Sequence, residues 1–92
     1  MKSFLISYQL SYTENSYPNL IAYLKTASQW ARPCANTWII KTPIDIAQIR
    51  DGIRDRIKSV DKVMVIEVPN SNWATFNISK DVTDWMRRNL LP

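Results

Sequence analysis

The chain has 92 residues, of which 46% are hydrophobic and 22% charged, a composition that excludes a disordered protein and predicts one domain spanning residues 1–92. Its formal charge of +4 favours acidic partners such as nucleic acid, but only weakly. It contains no histidine and one glycine, which excludes Ser-His-Asp and Cys-His catalysis, phosphate-binding glycine loops and the dinucleotide fingerprint.

The first predicted element is a strand over residues 2–11. Phe4, Ile6 and Tyr8 alternate with more polar neighbours, which is the period of an extended chain. Around Leu5 the apolar run is unbroken, which indicates that part of the strand is covered on both faces. We therefore expect this strand to lie in the centre of a sheet.

A helix and a hairpin follow. Pro18 suits the first turn of a helix, and apolar residues recur at helical spacing over about 17–28. The next stretch predicts a short strand from Trp30 to Pro33, a turn, and a strand over 37–42. Because proline cannot donate to a ladder, the first arm is expected at an edge and the second in a more central position.

The second helix has the clearest signals in the chain. Asp45 and Gln48 have the spacing of a capping box, which marks the start of a helix. Gly52 lies inside this helix, where it destabilises, so we expect another backbone to approach closely there. The predicted buried stripe consists of Ile46, Ile49, Ile53 and Ile57.

The chain closes with a strand and a helix. The short apolar run over 63–68 predicts a buried strand. Ser79 then caps a helix over about 79–89, with acidic residues in its first turn and basic residues in its last, as the helix dipole prefers. Its apolar face predicts that it docks onto the rest of the domain.

This order of elements predicts an α+β protein with a ferredoxin-like βαββαβ fold and an appended C-terminal helix. Two interleaved strand-helix-strand units form one antiparallel sheet with strand order 4-1-3-2. The first and third strands are then central, which agrees with their apolar character.

Neither a membrane span nor a targeting signal is expected. No apolar run approaches the roughly 20 residues that a span needs, and Met1-Lys2-Ser3 lead into the first strand without a signal-peptide core. The single cysteine, Cys34, has no partner for an internal disulfide and no base to activate it. We therefore expect a cytoplasmic protein with an unreactive thiol.

Several stretches together resemble a known superfamily. They are Phe4 to Leu10, Thr37 to Thr42, Gln48 to Asp51, Asp61 to Val65, Trp73 and Trp85. On these stretches the chain resembles the superfamily of the CRISPR-associated small endoribonucleases and adaptation scaffolds and of the virulence-associated protein D toxins. It is most similar to the short uncharacterised bacterial members. The resemblance implies a homodimer.

The resemblance also implies a position for catalysis. In that superfamily the first strand closes with Tyr-Asp, and the aspartates of two subunits are proposed to bind a catalytic Mg²⁺. This chain has Tyr8-Gln9 instead, and a neutral amide supplies neither a base nor the anionic oxygen that Mg²⁺ prefers. Gln9 is thus the candidate catalytic position, with Glu14 and Asp61 as substitutes, and we expect no efficient nuclease activity.

The leading hypothesis is a homodimer that binds DNA or RNA without cleaving it efficiently. Trp73 would stack on a base or, alternatively, pack the last helix onto the sheet. The residues expected to contact phosphates are Lys2, Lys25, Arg32, Lys41, Arg50, Arg54, Arg87 and Arg88.

Two other functions remain open at this point. One is a Mg²⁺-dependent endoribonuclease of the toxin kind, in which Glu14 or Asp61 takes the role of the missing aspartate. The other is a protein-protein interaction module, in which the aromatic rings cover interfaces. The carboxylates form no tight cluster in the sequence, so we assign no metal ligands and expect no cofactor, with Mg²⁺ belonging only to the nuclease alternative.

Overall fold

The computed structural model describes residues 1–69 and 72–90, which form a four-stranded antiparallel sheet with helices on both faces. The strand order is β2-β3-β1-β4, so the predicted ferredoxin-like fold with an appended helix is confirmed. The elements are β1 (Lys2–Gln9), a 3-10 turn (Glu14–Ser16), α1 (Pro18–Leu24), β2 (Gln29–Cys34), β3 (Thr37–Thr42), α2 (Ile46–Arg54), β4 (Lys62–Glu67) and α3 (Lys80–Asn89).

The strand β1 is central, as its sequence predicts. It pairs with β3 from Lys2 to Ser7 and with β4 from Phe4 to Gln9. Phe4, Ile6 and Tyr8 point to one face of the sheet and are buried. This face is covered by α1 and α2, whose buried residues Leu20, Leu24, Ile49 and Ile53 complete the larger core.

The two helices over this core match their predictions only in part. The first, α1, ends at Leu24 rather than near residue 28, because the backbone N–H and the hydroxyl of Thr26 both donate to the Tyr23 carbonyl. The capping box of α2 is confirmed, with the Asp45 side chain accepting from the backbone and Gln48 returning the bond. Ile46 is 38% exposed, so the predicted stripe is wrong at its first position, which lies in the first turn, beyond the core.

Gly52 marks a close approach, but of a side chain rather than of a backbone. A Cβ atom at this position would collide with the hydroxyl and ring of Tyr23. Arg56 closes the same contact, because its guanidinium lies 4.3 Å from the Tyr23 ring centroid and donates to the Gly52 carbonyl at 2.7 Å. The glycine therefore lets α1 and α2 pack together through this tyrosine.

The second face of the sheet is covered only in part. The helix α3 packs Trp85, Met86 and Leu90 onto Ala31 and Ile39, which lie on β2 and β3. Among the described residues, every helix is too short or too polar to cross a bilayer.

The other half of this face, over β1 and β4, carries Leu5, Met64 and Ile66, which we call the open half-face. Met64 is 52% and Ile66 45% exposed. The prediction of a buried last strand is therefore wrong, because β4 is an edge strand and α3 docks on the opposite half of the sheet.

Candidate nucleic-acid interface

Cationic and aromatic side chains form a stack along the outer edge of β2. The Lys25 ammonium lies 5.5 Å from the centroid of the Trp30 ring. The Trp30 and Trp38 centroids are 5.2 Å apart, with the ring planes tilted by 46°. The Arg32 guanidinium lies 4.9 Å from the centroid of the Trp38 ring. We call these four residues, Lys25, Trp30, Trp38 and Arg32, the β2-edge ladder.

The strand period explains how the ladder is assembled. Trp30 and Arg32 are two residues apart, so both point to the face that carries the larger core. There they meet Trp38 of β3, which is fully buried and donates its Nε1–H to the Tyr8 hydroxyl at 2.9 Å. Trp30 stays 38% exposed, because no further strand lies outside β2 in the sheet formed by the described residues. Trp38 thus forms a buried floor of the ladder, and Trp30 provides its accessible ring.

Arg32 is held in place by bonds to its own hairpin and to the 3-10 turn. Its guanidinium pairs with Glu14 and donates to the Ala35 carbonyl from Nε at 3.0 Å and from a terminal nitrogen at 2.6 Å. The hydrogen bond from Arg32 lowers the pKa of the Glu14 carboxyl, and the same bond raises the pKa of Arg32. Much of the guanidinium charge is therefore offset by Glu14, whereas the Lys25 ammonium is exposed.

A groove with one cation and one carboxylate in its lining lies on the outer surface of the helices. It lies between α1 and α2 and is lined by Asn19, Ala22, Tyr23, Thr26, Asp55 and Arg56. Lys25 is adjacent to the groove in sequence, and Arg50 and Arg54 lie exposed on α2. Both arginines contact Asp51, at 2.9 Å and 3.4 Å, so their charge is partly neutralised.

The basic residues predicted to contact phosphate do not share one face. Lys25, Arg32, Arg50 and Arg54 belong to β2 or to the helical layer beside it. Lys41 points to the other face of the sheet. The exposed Arg87 and Arg88 also lie on that side of the sheet, because they belong to α3. Lys2, at the far end of β1, contacts Glu67 at 3.7 Å. Of the first group, Lys25 and Arg32 belong to the ladder itself, whereas Arg54 lines a cleft with Lys62 and Val63 at the β4 edge.

Gln9 lies at the exposed end of β1, where the chain leaves the sheet. It pairs with Lys62 of the neighbouring strand β4 and borders a shallow cleft with Ser7, Asn36 and Met64. The side chain is solvent-exposed rather than sealed in the core. Polar and apolar groups therefore both border this candidate catalytic position, and the residue paired with it on β4 is a lysine.

Asp61, one proposed substitute for the missing aspartate, is fully occupied by hydrogen bonds. One oxygen accepts from the Ser11 backbone at 2.8 Å and from its hydroxyl at 2.7 Å. The other accepts from the Tyr17 hydroxyl at 2.7 Å and from the Lys58 backbone at 2.8 Å. Desolvation raises the pKa of Asp61, but these donors outweigh it and lower the pKa to about 2.

Glu14 and Asp61 are both engaged by donors of the protein itself. Glu14 binds Arg32, and all four acceptor positions of the Asp61 carboxylate are used. Within residues 1–69 and 72–90, no three histidine, cysteine, aspartate or glutamate side chains come together as a metal-binding group. Asp61 would have to give up hydrogen bonds before it could bind a cation, and a cation at Glu14 would lie beside the Arg32 guanidinium.

Trp73 lies half-buried against the smaller core, where it contacts the group formed by Ala31, Ile39, Trp85, Met86 and Leu90. This placement fits the packing alternative. Trp30 was not among the residues predicted to bind, although the sequence contains a usable signal. Trp30 and Arg32 alternate in an edge strand, and this pattern puts a ring and a cation side by side.

No family model matches the chain, and no curated protein and no solved structure shows a significant match to it.

Proposed function

We propose that this protein binds single-stranded nucleic acid at the β2-edge ladder, with one base stacked on Trp30 and the adjoining phosphate bound by Lys25. The observation that carries the proposal is an exposed tryptophan ring tilted against a buried one, with an exposed ammonium over the exposed ring. A planar base needs an accessible ring face held rigidly, and a phosphate needs a mobile cation nearby.

The magnitudes of the competing contacts favour this exchange. An exposed cation–π contact such as that of Lys25 with Trp30 contributes about 0.5–1 kcal/mol. Stacking of a base on an aromatic side chain contributes about 1–3 kcal/mol. A base can therefore displace the ammonium from the ring, and the flexible lysine keeps its charge close to the phosphate of the same nucleotide.

The helical groove provides a direction for the rest of the strand. Beyond Lys25 the surface leads past Tyr23 to Arg56, which already stacks on that tyrosine. Arg50 and Arg54, one turn apart on α2, lie outside this path, because Arg54 lines a cleft with Lys62 and Val63 of β4. Phosphates along this path would meet the ammonium of Lys25 and the guanidinium of Arg56, so the proposal relies on these two cations rather than on the modest net charge of +4.

The proposal does not include efficient cleavage. Gln9 is neutral, Glu14 is bound to Arg32, and Asp61 accepts four hydrogen bonds. Incubation of labelled RNA with the protein and Mg²⁺ should leave the RNA intact over the time in which binding reaches equilibrium. Cleavage that is lost in Glu14→Ala would instead support the endoribonuclease alternative.

Binding is tested by fluorescence anisotropy with labelled single-stranded RNA and DNA at low and high salt. Trp30→Ala should weaken binding by about 5- to 150-fold, the equivalent of a lost stacking contact of about 1–3 kcal/mol. Lys25→Ala should weaken it less and should make the logarithmic salt slope shallower by about 0.7.

Arg88→Ala is the matched control, because it removes an exposed cation from α3 on the other side of the sheet. It should leave the affinity within about twofold of the original protein. Circular dichroism will show whether Trp30→Ala still folds, and Lys25→Ala tests the same site without touching the core. The proposal fails if the protein does not bind at low salt, or if Lys25→Ala and Arg88→Ala bind alike.

A further inference from the structure

The outer edge of β4 lacks the features that usually keep a strand edge from pairing. Edge strands are commonly protected by proline, by a bulge or by charged residues within the strand. β2 has Pro33 and a register shift between Ala31 and Cys34. β4 pairs with β1 over its whole length without a shift, and its charged residues, Lys62 and Glu67, stand only at its ends.

The backbone of β4 leaves three residues with outward hydrogen-bonding groups. The Val68 N–H donates to the Ser3 carbonyl at 2.9 Å, so Val68 points toward β1. Successive strand residues point to opposite sides, and the residues directed away from β1 are Val63, Val65 and Glu67. Within the described part of the chain, no strand pairs with these groups.

We propose that β4 pairs with β4 of a second copy, antiparallel and centred on Val65, so that two four-stranded sheets join into one of eight strands. In this register Val65 faces Val65 of the second copy, and Val63 faces Glu67 on each side of the axis. All three outward residues then lie in facing pairs, each of which exchanges two hydrogen bonds.

The sequence selects this register over its neighbours. A register centred on Met64 would place Glu67 opposite Asp61 of the second copy, and like charges directly opposite each other destabilise a sheet. A register centred on Ile66 would place Val63 opposite Pro69, which has no N–H to donate. Only centring on Val65 avoids both problems.

The exposed side chains of the open half-face agree with the same register. Met64 lies opposite Ile66 of the second copy, and the two are 52% and 45% exposed in the single chain. Contacts across the axis would bury part of both side chains. The two β2 edges would then lie at the outer ends of the sheet, about 34 Å apart, which is seven strand spacings of about 4.8 Å.

Sedimentation velocity over a range of concentrations tests this pairing. The protein should sediment with twice the 10.7 kDa mass of one chain. Met64→Lys, which places a charge on the exposed edge, should sediment as a monomer. Glu67→Pro should do the same, because it removes an outward N–H and leaves intact the bonds to β1.

Ile44→Lys is the matched control, since it replaces a 40% exposed isoleucine in the loop before α2 with the same charged residue. It should remain a dimer. Amide exchange supplies the second readout, in which the N–H groups of Val63, Val65 and Glu67 should be protected in the dimer and exchange quickly in Met64→Lys.

Other outcomes overturn the pairing. A monomer at every concentration would show that no second copy occupies the edge. A dimer whose outward amides exchange as quickly as those of the variant would show that the copies meet through another surface, such as the open half-face. Dimers in both Met64→Lys and Glu67→Pro would contradict the proposal as well.

Discussion

The two edges of this sheet present different chemistry to solvent. β2 carries a proline and a bulge, and its exposed groups are side chains, a tryptophan ring with cations beside it. β4 is regular, and its exposed groups are backbone N–H and C=O together with apolar side chains. An edge blocked for main-chain pairing is suited to recognise a ligand through side chains, whereas an unblocked edge is suited to pair with another strand.

Substitution of Trp38 should have the largest effect on stability, and it should alter the β2 edge without altering the β4 edge. Trp38→Ala removes a fully buried ring, the floor of the β2-edge ladder and the bond to Tyr8. Loss of a large buried aromatic side chain costs about 3–5 kcal/mol, so urea unfolding should show a destabilisation of that order.

Trp30→Ala serves as the reference for this measurement. Trp30 is already 38% exposed, so its substitution should lower the free energy of unfolding clearly less. Equal destabilisation by the two substitutions would show that the ladder has no buried floor. If Trp38→Ala remains folded, its mass in sedimentation should still be that of a dimer, since β4 lies at the opposite edge.

Asp61 should have a smaller, pH-dependent effect on the β4 side. It ties the residue before β4 to Ser11, just beyond β1, and its pKa of about 2 lies below its ordinary value of 3.8. A carboxylate with a depressed folded pKa stabilises the fold above about pH 4, and that contribution is lost as the pH falls through about 2. Unfolding followed from pH 7 to pH 2 should show this loss.

Asp61→Asn should be less stable than the original protein at pH 7 and should lose less stability on acidification. Asp45→Asn is a suitable comparison, because Asp45 is also a carboxylate that accepts a backbone hydrogen bond and asparagine is an equally good helix cap. Parallel pH profiles for Asp61→Asn and the original protein would show that Asp61 does not titrate with the fold.

The smallest expected effect is a change in nucleic-acid affinity at the β2 edge. Glu14→Gln removes the carboxylate that offsets Arg32, so the guanidinium becomes available to phosphate. Affinity for single-stranded RNA should rise a few-fold at low salt, and the logarithmic salt slope should steepen by about 0.7, the value expected for one further phosphate contact. Unchanged affinity and slope would show that Arg32 does not reach the bound strand.

Much of the fold follows from local patterns in the sequence. The alternation around Phe4 predicts a central strand, Pro33 predicts an edge, and Asp45 with Gln48 predicts the start of a helix. Each signal reflects physics within a few residues, such as a missing N–H or a capped helix end. The strand order then follows from the order of the elements.

The features that were not predicted depend on packing between distant elements. The apolar run of β4 looks the same whether or not a helix covers it, and only the docking of α3 on the other half of the sheet leaves Met64 exposed. Similarly, the sequence does not show that Glu14 meets Arg32 or that Asp61 meets Tyr17. Trp30 is the exception, since its alternation with Arg32 can be read directly from the amino-acid sequence.

The division of roles between the two edges is tested most directly by titrating isotope-labelled protein with a short single-stranded oligonucleotide and recording its nuclear magnetic resonance spectrum. The signals of the Trp30 indole N–H and the Lys25 amide should shift, while those of the Val63, Val65 and Glu67 amides should not. Shifts concentrated at β4, or around Gln9, would contradict it.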